Sequence, residues 1–166
     1  MNGNLAQMAR DAGKAVLNTL TDVDYVTIVI FSSQASSYST MLVQATTSNV
    51  IAMRSWIDQN VGASGSTNFR AAFAKIWSVL AESRSGLYSG STSNSNCNRV
   101  VLFLTDGEPN DWEEADYEAV KANSVAHGNA KVLTYHLHPL TIVLRCTVFL
   151  AHFAVPQYDS ACCMMI

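Results

Sequence analysis

The sequence has little charge. Asp, Glu, Lys and Arg make up 14% of its 166 residues, and the net charge is −3. No run of basic residues occurs, so the electrostatic footprint of a nucleic-acid binder is missing. The low charge accompanies 49% hydrophobic residues, which excludes a disordered chain and fits one globular domain with its own core. No charged-then-apolar leader opens the chain, since Met1-Asn-Gly-Asn4 is polar. No Asn-x-Ser/Thr acceptor is present, and the compartment is left open. Of the four cysteines, Cys97 stands alone while Cys146, Cys162 and Cys163 fall near the end; that is neither a disulfide framework nor a metal spacing. Gly-x-Ser-x-Gly, a phosphate loop, His-Glu-x-x-His and Cys-x-x-Cys are all missing. Nothing pairs a nucleophile with a base, and an enzyme ranks last among the function classes.

What is there is organised around Arg99-Val-Val-Leu-Phe-Leu-Thr-Asp-Gly-Glu108. Val100 to Leu104 is unbroken apolar sequence, which belongs in the middle of a parallel sheet covered by helices. Gly107 permits a tight exit and leaves Asp106 at the strand's carboxyl end, where ligands bind in open α/β sheets. An Asp-Gly pair is also an ordinary turn-former.

The other elements follow from periodicity. Leu5, Met8, Ala9, Ala12, Val16 and Leu20 form a helical stripe, with Asn4 as a candidate cap. Tyr25 to Phe31 reads as one buried strand, Ser32 to Ser39 as a polar hairpin, and Tyr38 to Gln44 as a short edge strand. Thr46, Thr47 or Ser48 can cap a helix to about Asn60 that buries Val50, Ile51, Met53, Ile57 and part of Trp56. A glycine- and hydroxyl-rich stretch, Val61 to Asn68, feeds a helix to about Ser83 with Phe69, Ala72, Phe73, Ile76, Trp77 and Leu80 on one face. Ser85 to Asn98 is Gly/Ser/Asn-rich loop sequence. Asp111-Trp-Glu-Glu114 has the pattern of a capping box opening a helix to His127, Gly128-Asn129 ends it, and Lys131 to Leu137 is a strand. The alternation predicts an α/β fold: a Rossmann-like, doubly wound, mostly parallel sheet. Such a domain normally opens with a central strand, whereas this chain opens on the helix that should follow it. Either that strand comes from elsewhere or the sheet lacks a member.

Gly65-Ser66-Thr67-Asn68 before a long helix, then Val100 to Gly107 after it, resemble the von Willebrand factor A domain over roughly residues 5–137. Within the family, Asp22 to Phe31 and the position of Cys97 are similar to the auxiliary α2δ subunits of voltage-gated calcium channels. The resemblance implies a metal-ion-dependent adhesion site in which Thr67 and Asp106 are ligands, with Ser64, Gly65, Ser66, Asn68, Gly107 and Glu108 in the binding loops. It implies a protein partner whose acidic side chain completes the shell of a Mg2+ or Ca2+ ion, and an extracellular or membrane-associated setting. The family's site begins with Asp-x-Ser-x-Ser at the end of the first strand, and no such motif stands here. Magnesium demands near-octahedral oxygen coordination and gives up water reluctantly, so one carboxylate and one hydroxyl predict only weak, water-mediated binding. In the plainer reading Thr67 caps the helix that starts at Asn68 and Asp106 shapes a turn. Glu108, Asp111, Glu113 and Glu114 likewise read first as acids complementing a helix dipole.

Two functions follow: a protein-binding module with a degenerate adhesion site, or an auxiliary subunit of a membrane complex, such as a calcium channel, that acts without metal. Residues 138–166 read as an atypical apolar tail. Leu140 to Val155 is short for a bilayer span of about twenty residues, and Arg145 and His152 interrupt it. Cys163-Met-Met-Ile166 has the form of a prenylation box, but no polybasic stretch accompanies it and four-residue patterns arise by chance. Membrane association is therefore expected through a larger parent protein. The simplest reading of both ends is an incomplete domain.

Overall fold

A computed structural model describes residues 3–62, 67–87, 98–105, 112–136 and 162–165. In chain order these form α1 (Gly3–Leu17), β1 (Tyr25–Thr27), β2 (Val29–Phe31), β3 (Ala35–Ser37), β4 (Val43–Gln44), α2 (Thr47–Asn60), α3 (Phe69–Leu87), β5 (Asn98–Thr105), α4 (Glu114–Ala126), β6 (Lys131–His136) and β7 (Cys162–Met165). Five strands make one sheet in the order β4-β1-β7-β5-β6. All its pairings are parallel except the edge strand β4. The α/β, mostly parallel architecture expected from the alternation is therefore the observed one, and β5 is flanked on both edges. No helix among the described residues is long and apolar enough to cross a membrane.

The sheet has a core on each face. Along β1 and β2, Val26, Ile28 and Ile30 pack with Leu17 of α1 and with Met53 and Ile57 of α2. The alternate residues Tyr25, Val29 and Phe31 pack against the cluster built on α3. This is the period-two signature of a strand covered on both sides. All six residues expected on the inner face of α3 are buried. Rings dominate that side: Phe103 lies 4.9 Å from Phe31, 4.8 Å from Phe69 and 5.0 Å from Phe73, centroid to centroid.

Several local expectations are corrected. Tyr25 to Phe31 is not one strand: β1 stays in the main sheet, and β2 leaves it to form a two-stranded hairpin with β3. The edge strand is only Val43–Gln44. α1 begins at Gly3, so Asn4 is inside the helix rather than capping it. Thr46 is the cap of α2, its hydroxyl accepting from the Asn49 N–H at 3.3 Å, and Ile51 on that helix is exposed. α3 runs past Ser83 to Leu87. Ser83 is buried because its hydroxyl donates to the Val79 carbonyl and accepts from the Leu42 N–H. α4 starts at Glu114, with Glu113 as its cap and Asp116 accepting from the Glu113 N–H at 2.8 Å; Asp111 lies outside the described residues. Gly128 (φ 82°) and Asn129 (φ 57°) end that helix in the left-handed region, as their identities suggested.

The largest difference concerns the missing strand. The position between β1 and β5 is filled by β7, from the segment whose sequence reads as a tail. Cys163 pairs with Tyr25 on one side and Arg99 on the other, and Met164 with Val26 and Val100. Strand pairing across such a separation depends on which sheet edges are available, and four residues of local pattern carry no information about it. Residues 137–161 lie outside the described set.

Candidate functional site

Strand polarity decides where a site can sit. β1, β7, β5 and β6 point the same way, so their carboxyl ends share one rim of the sheet. Three other elements converge there. Phe69, the first residue of α3, contacts Phe103 near the end of β5 and Trp112 at 5.6 Å. Asn68 reaches the β2–β3 hairpin: its backbone N–H donates to the Ser32 carbonyl at 3.0 Å, and its side-chain amide to the Ser33 carbonyl at 3.2 Å. Arg70 makes a two-pronged ion pair with Asp116, with both N···O distances 2.7 Å. The start of α3, the hairpin, the end of β5 and the start of α4 therefore form one continuous rim.

Of the residues expected at the site, Thr67 and Asn68 are described. Both are partly buried on this rim. Asn68, not Thr67, caps α3: its side-chain oxygen accepts from the Ala71 N–H at 3.0 Å. The reason is spacing, because the helix begins at Phe69, one residue later than the sequence suggested. Both polar atoms of the Asn68 side chain are thereby committed to the scaffold. The Thr67 hydroxyl makes no hydrogen bond among the described residues. Ser64, Gly65, Ser66, Asp106, Gly107 and Glu108 lie outside them. Thr105, one residue before Asp106, is buried at the end of β5.

The electrostatics of the rim centre on a pair that the sequence did not single out. The Arg70 guanidinium beside Asp116, helped by the Glu113 N–H, holds the Asp116 carboxyl down at about 2 instead of 3.8. An Arg in the first turn of one helix and an Asp in the first turn of the next have no local sequence signature, because 46 residues separate them. Glu114 and Asp116 also stand in the first turn of α4, which fits acids complementing the helix dipole. Among the described residues no group of three His, Cys, Asp or Glu could hold a metal. Thr67 supplies one neutral oxygen, and a divalent cation needs several more, so the described donors do not by themselves make a cation cradle.

At the other end of the sheet, His127 closes α4. Its ring stacks on Trp77 at 5.4 Å, and its carbonyl accepts from Arg99. That histidine is structural, and Trp77 is core.

Comparison with known proteins bears on this architecture. No family profile matches the chain. The chain is similar to inter-alpha-trypsin inhibitor heavy chain H1 of Sus scrofa, at 32% identity over 109 residues, covering 66% of this chain and 12% of that protein. It is similar to voltage-dependent calcium channel subunit alpha-2/delta-2 of Homo sapiens, at 32% identity over 94 residues, covering 55% of this chain and 8% of that protein. The chain thus matches only a small part of each relative's length, and neither is named as an enzyme. Among solved structures it resembles a von Willebrand factor type A protein from Catenulispora acidiphila, with a TM-score of 0.61 and 20% identity over 76% of this chain and 27% of that one.

Proposed function

The chain carries a von Willebrand factor A domain, and from that premise we propose that it is a protein-binding module that engages its partner with the rim at the carboxyl ends of the parallel strands. One observation carries the reading: the Phe69–Phe103 contact and the two Asn68 bonds to the hairpin hold the start of α3, next to Thr67, at the edge where β5 ends. Ties of this kind among the described residues of the rim lower the entropy cost of association.

Within this reading the adhesion site is degenerate. Thr67 and Asp106 are its side-chain ligands, and Ser64, Gly65, Ser66, Gly107 and Glu108 shape the loops around them. A Mg2+ or Ca2+ ion held there keeps most of its water, and an acidic side chain of the partner protein completes the shell. Affinity for the ion alone is weak, because one carboxylate and one hydroxyl offset little of the dehydration cost. The test is a Mg2+ and Ca2+ titration followed by thermal shift on the full chain. Stabilisation by millimolar cation that Asp106→Ala abolishes supports the site. No shift at millimolar cation overturns the metal part.

The second reading is an auxiliary subunit of a membrane complex, acting without metal. It is favoured by the 32% identity to the alpha-2/delta-2 channel subunit. It places the chain extracellularly or at a membrane, within a larger parent protein. Partner capture that is indifferent to both chelator and Asp106→Ala would favour it over the first.

A further inference from the structure

α4 is held at its two ends more than along its length. A helix on a sheet is ordinarily fixed by a buried apolar stripe, yet none of the 13 residues of α4 is fully buried. Val120 is half-buried against the cluster built on α3. The far end of the helix is pinned by the His127 ring on Trp77, by the bond from Arg99 to the His127 carbonyl, and by the Ser124 hydroxyl donating to the Ala130 carbonyl at 2.7 Å. The near end lies on the rim, and side chains from the first turn of α3 hold it there. Phe69 meets Trp112 just before the cap of α4, with ring centroids 5.6 Å apart. The Asp116 carboxylate accepts from Arg70 Nε on one oxygen, and from Arg70 Nη2 and the Glu113 N–H on the other.

The two contacts at the near end fix different things. A pair of rings sets a separation and tolerates sliding, whereas a two-pronged guanidinium–carboxylate pair is planar and directional and so sets orientation as well. Because the same carboxylate bonds the Glu113 N–H, that orientation passes directly to the cap of α4. The Arg70 side chain is 49% exposed and that of Asp116 17%, and ion pairs this near the surface add little to overall stability. The pair therefore acts on position more than on stability.

We propose that Arg70 and Asp116 are the positioning pair of the rim: they set where α4 begins relative to Thr67 and Asn68, and with it the surface offered to a partner. This rests on the rim being the partner-binding face, as proposed above. With the pair broken, α4 keeps its far end on Trp77 while its near end shifts against Phe69. The rim loses its shape, and the core beneath it does not.

Arg70→Met isolates the pair, since it keeps an unbranched stem and leaves Asp116 able to accept from the Glu113 N–H. Arg70→Lys keeps the charge without the fork. Amide exchange and nuclear Overhauser contacts on the full chain read the position of α4 with no ligand present. In Arg70→Met the Glu113 and Asp116 amides should exchange at least about threefold faster, the weight of a well-made surface pair. The Phe69–Trp112 ring contacts should weaken, and exchange at Val101 and Phe103 should not change. Arg70→Lys should fall between this variant and the parent. The Mg2+ concentration that gives half of the thermal shift should also rise at least about threefold in Arg70→Met. Unchanged exchange at Glu113 and Asp116, or unchanged Phe69–Trp112 contacts, overturns the proposal. So does equal acceleration at Val101 and Phe103, because the pair would then be a general stabiliser. A parent chain that responds to Mg2+ no better than Arg70→Met overturns it as well. A parent chain with no Mg2+ response instead fails the metal part of the function proposed above, and the exchange and ring contacts then decide the positioning role by themselves.

Discussion

Adjacent residues of β5 meet opposite circumstances. Phe103 faces α3 and touches the rings of Phe31, Phe69 and Phe73. Leu102 and Leu104 face the other way and are only partly buried. One face of the strand is closed by aromatic packing, and the other is less fully buried. The ring packing is thus concentrated on the α3 side, while the aliphatic core nearer α1 and α2 is built on Leu17, Val26, Met53 and Ile57.

The comparison breaks or sharpens under substitution. Phe103→Ala should have the largest effect, a loss of about 3–5 kcal/mol in urea unfolding, as for other large buried aromatics. A loss below about 2 kcal/mol would mean that the ring cluster is not the main core. Leu102→Ala, one residue away, should cost less than about 2 kcal/mol, under the range for fully buried leucines. A cost equal to that of Phe103→Ala would erase the asymmetry. Thr27, on β1, is wholly buried, and its hydroxyl has no partner among the described residues. Thr27→Val should therefore raise stability by about 1 kcal/mol, since it removes an unanswered polar group at nearly constant shape. A destabilised variant would show that the hydroxyl is bonded after all.

The smallest effect belongs to the rim. The Asp116 carboxyl titrates at about 2 in the folded chain against an ordinary 3.8. A lowered folded value means that the unfolded chain takes up the proton first. The contribution is therefore complete above 3.8 and is lost as pH falls toward 2. Asp116→Asn should lower the melting temperature at neutral pH, and its difference from the parent should shrink across that acid window. Because the pair is near the surface, added salt should reduce the difference as well. A difference that does not change between pH 6 and about 2 would show that the Arg70 pair is not its source.

Much of this was legible locally. The helical stripe of α3 placed six core residues correctly because a period of 3.6 is written within one turn of its own neighbours. Val100 to Leu104 announced a buried strand because both its faces are apolar, and Gly128-Asn129 announced a helix end because left-handed backbone favours those residues. Asn68 and Thr67 were harder to tell apart, since either can cap a helix and a one-residue change in the start decides between them. The Arg70–Asp116 pair could not be read at all, being made by two helices that meet only after the sheet has formed.

The chain's own residues determined the layered α/β architecture and the identity of the strand at its centre, because burial on two faces leaves an unmistakable composition. Only the tertiary structure decided that β2 parts from β1 and that Cys162–Met165 enters between β1 and β5. Pairing of distant strands is settled by which edges remain unsatisfied once everything else has packed, and no short stretch of sequence records that.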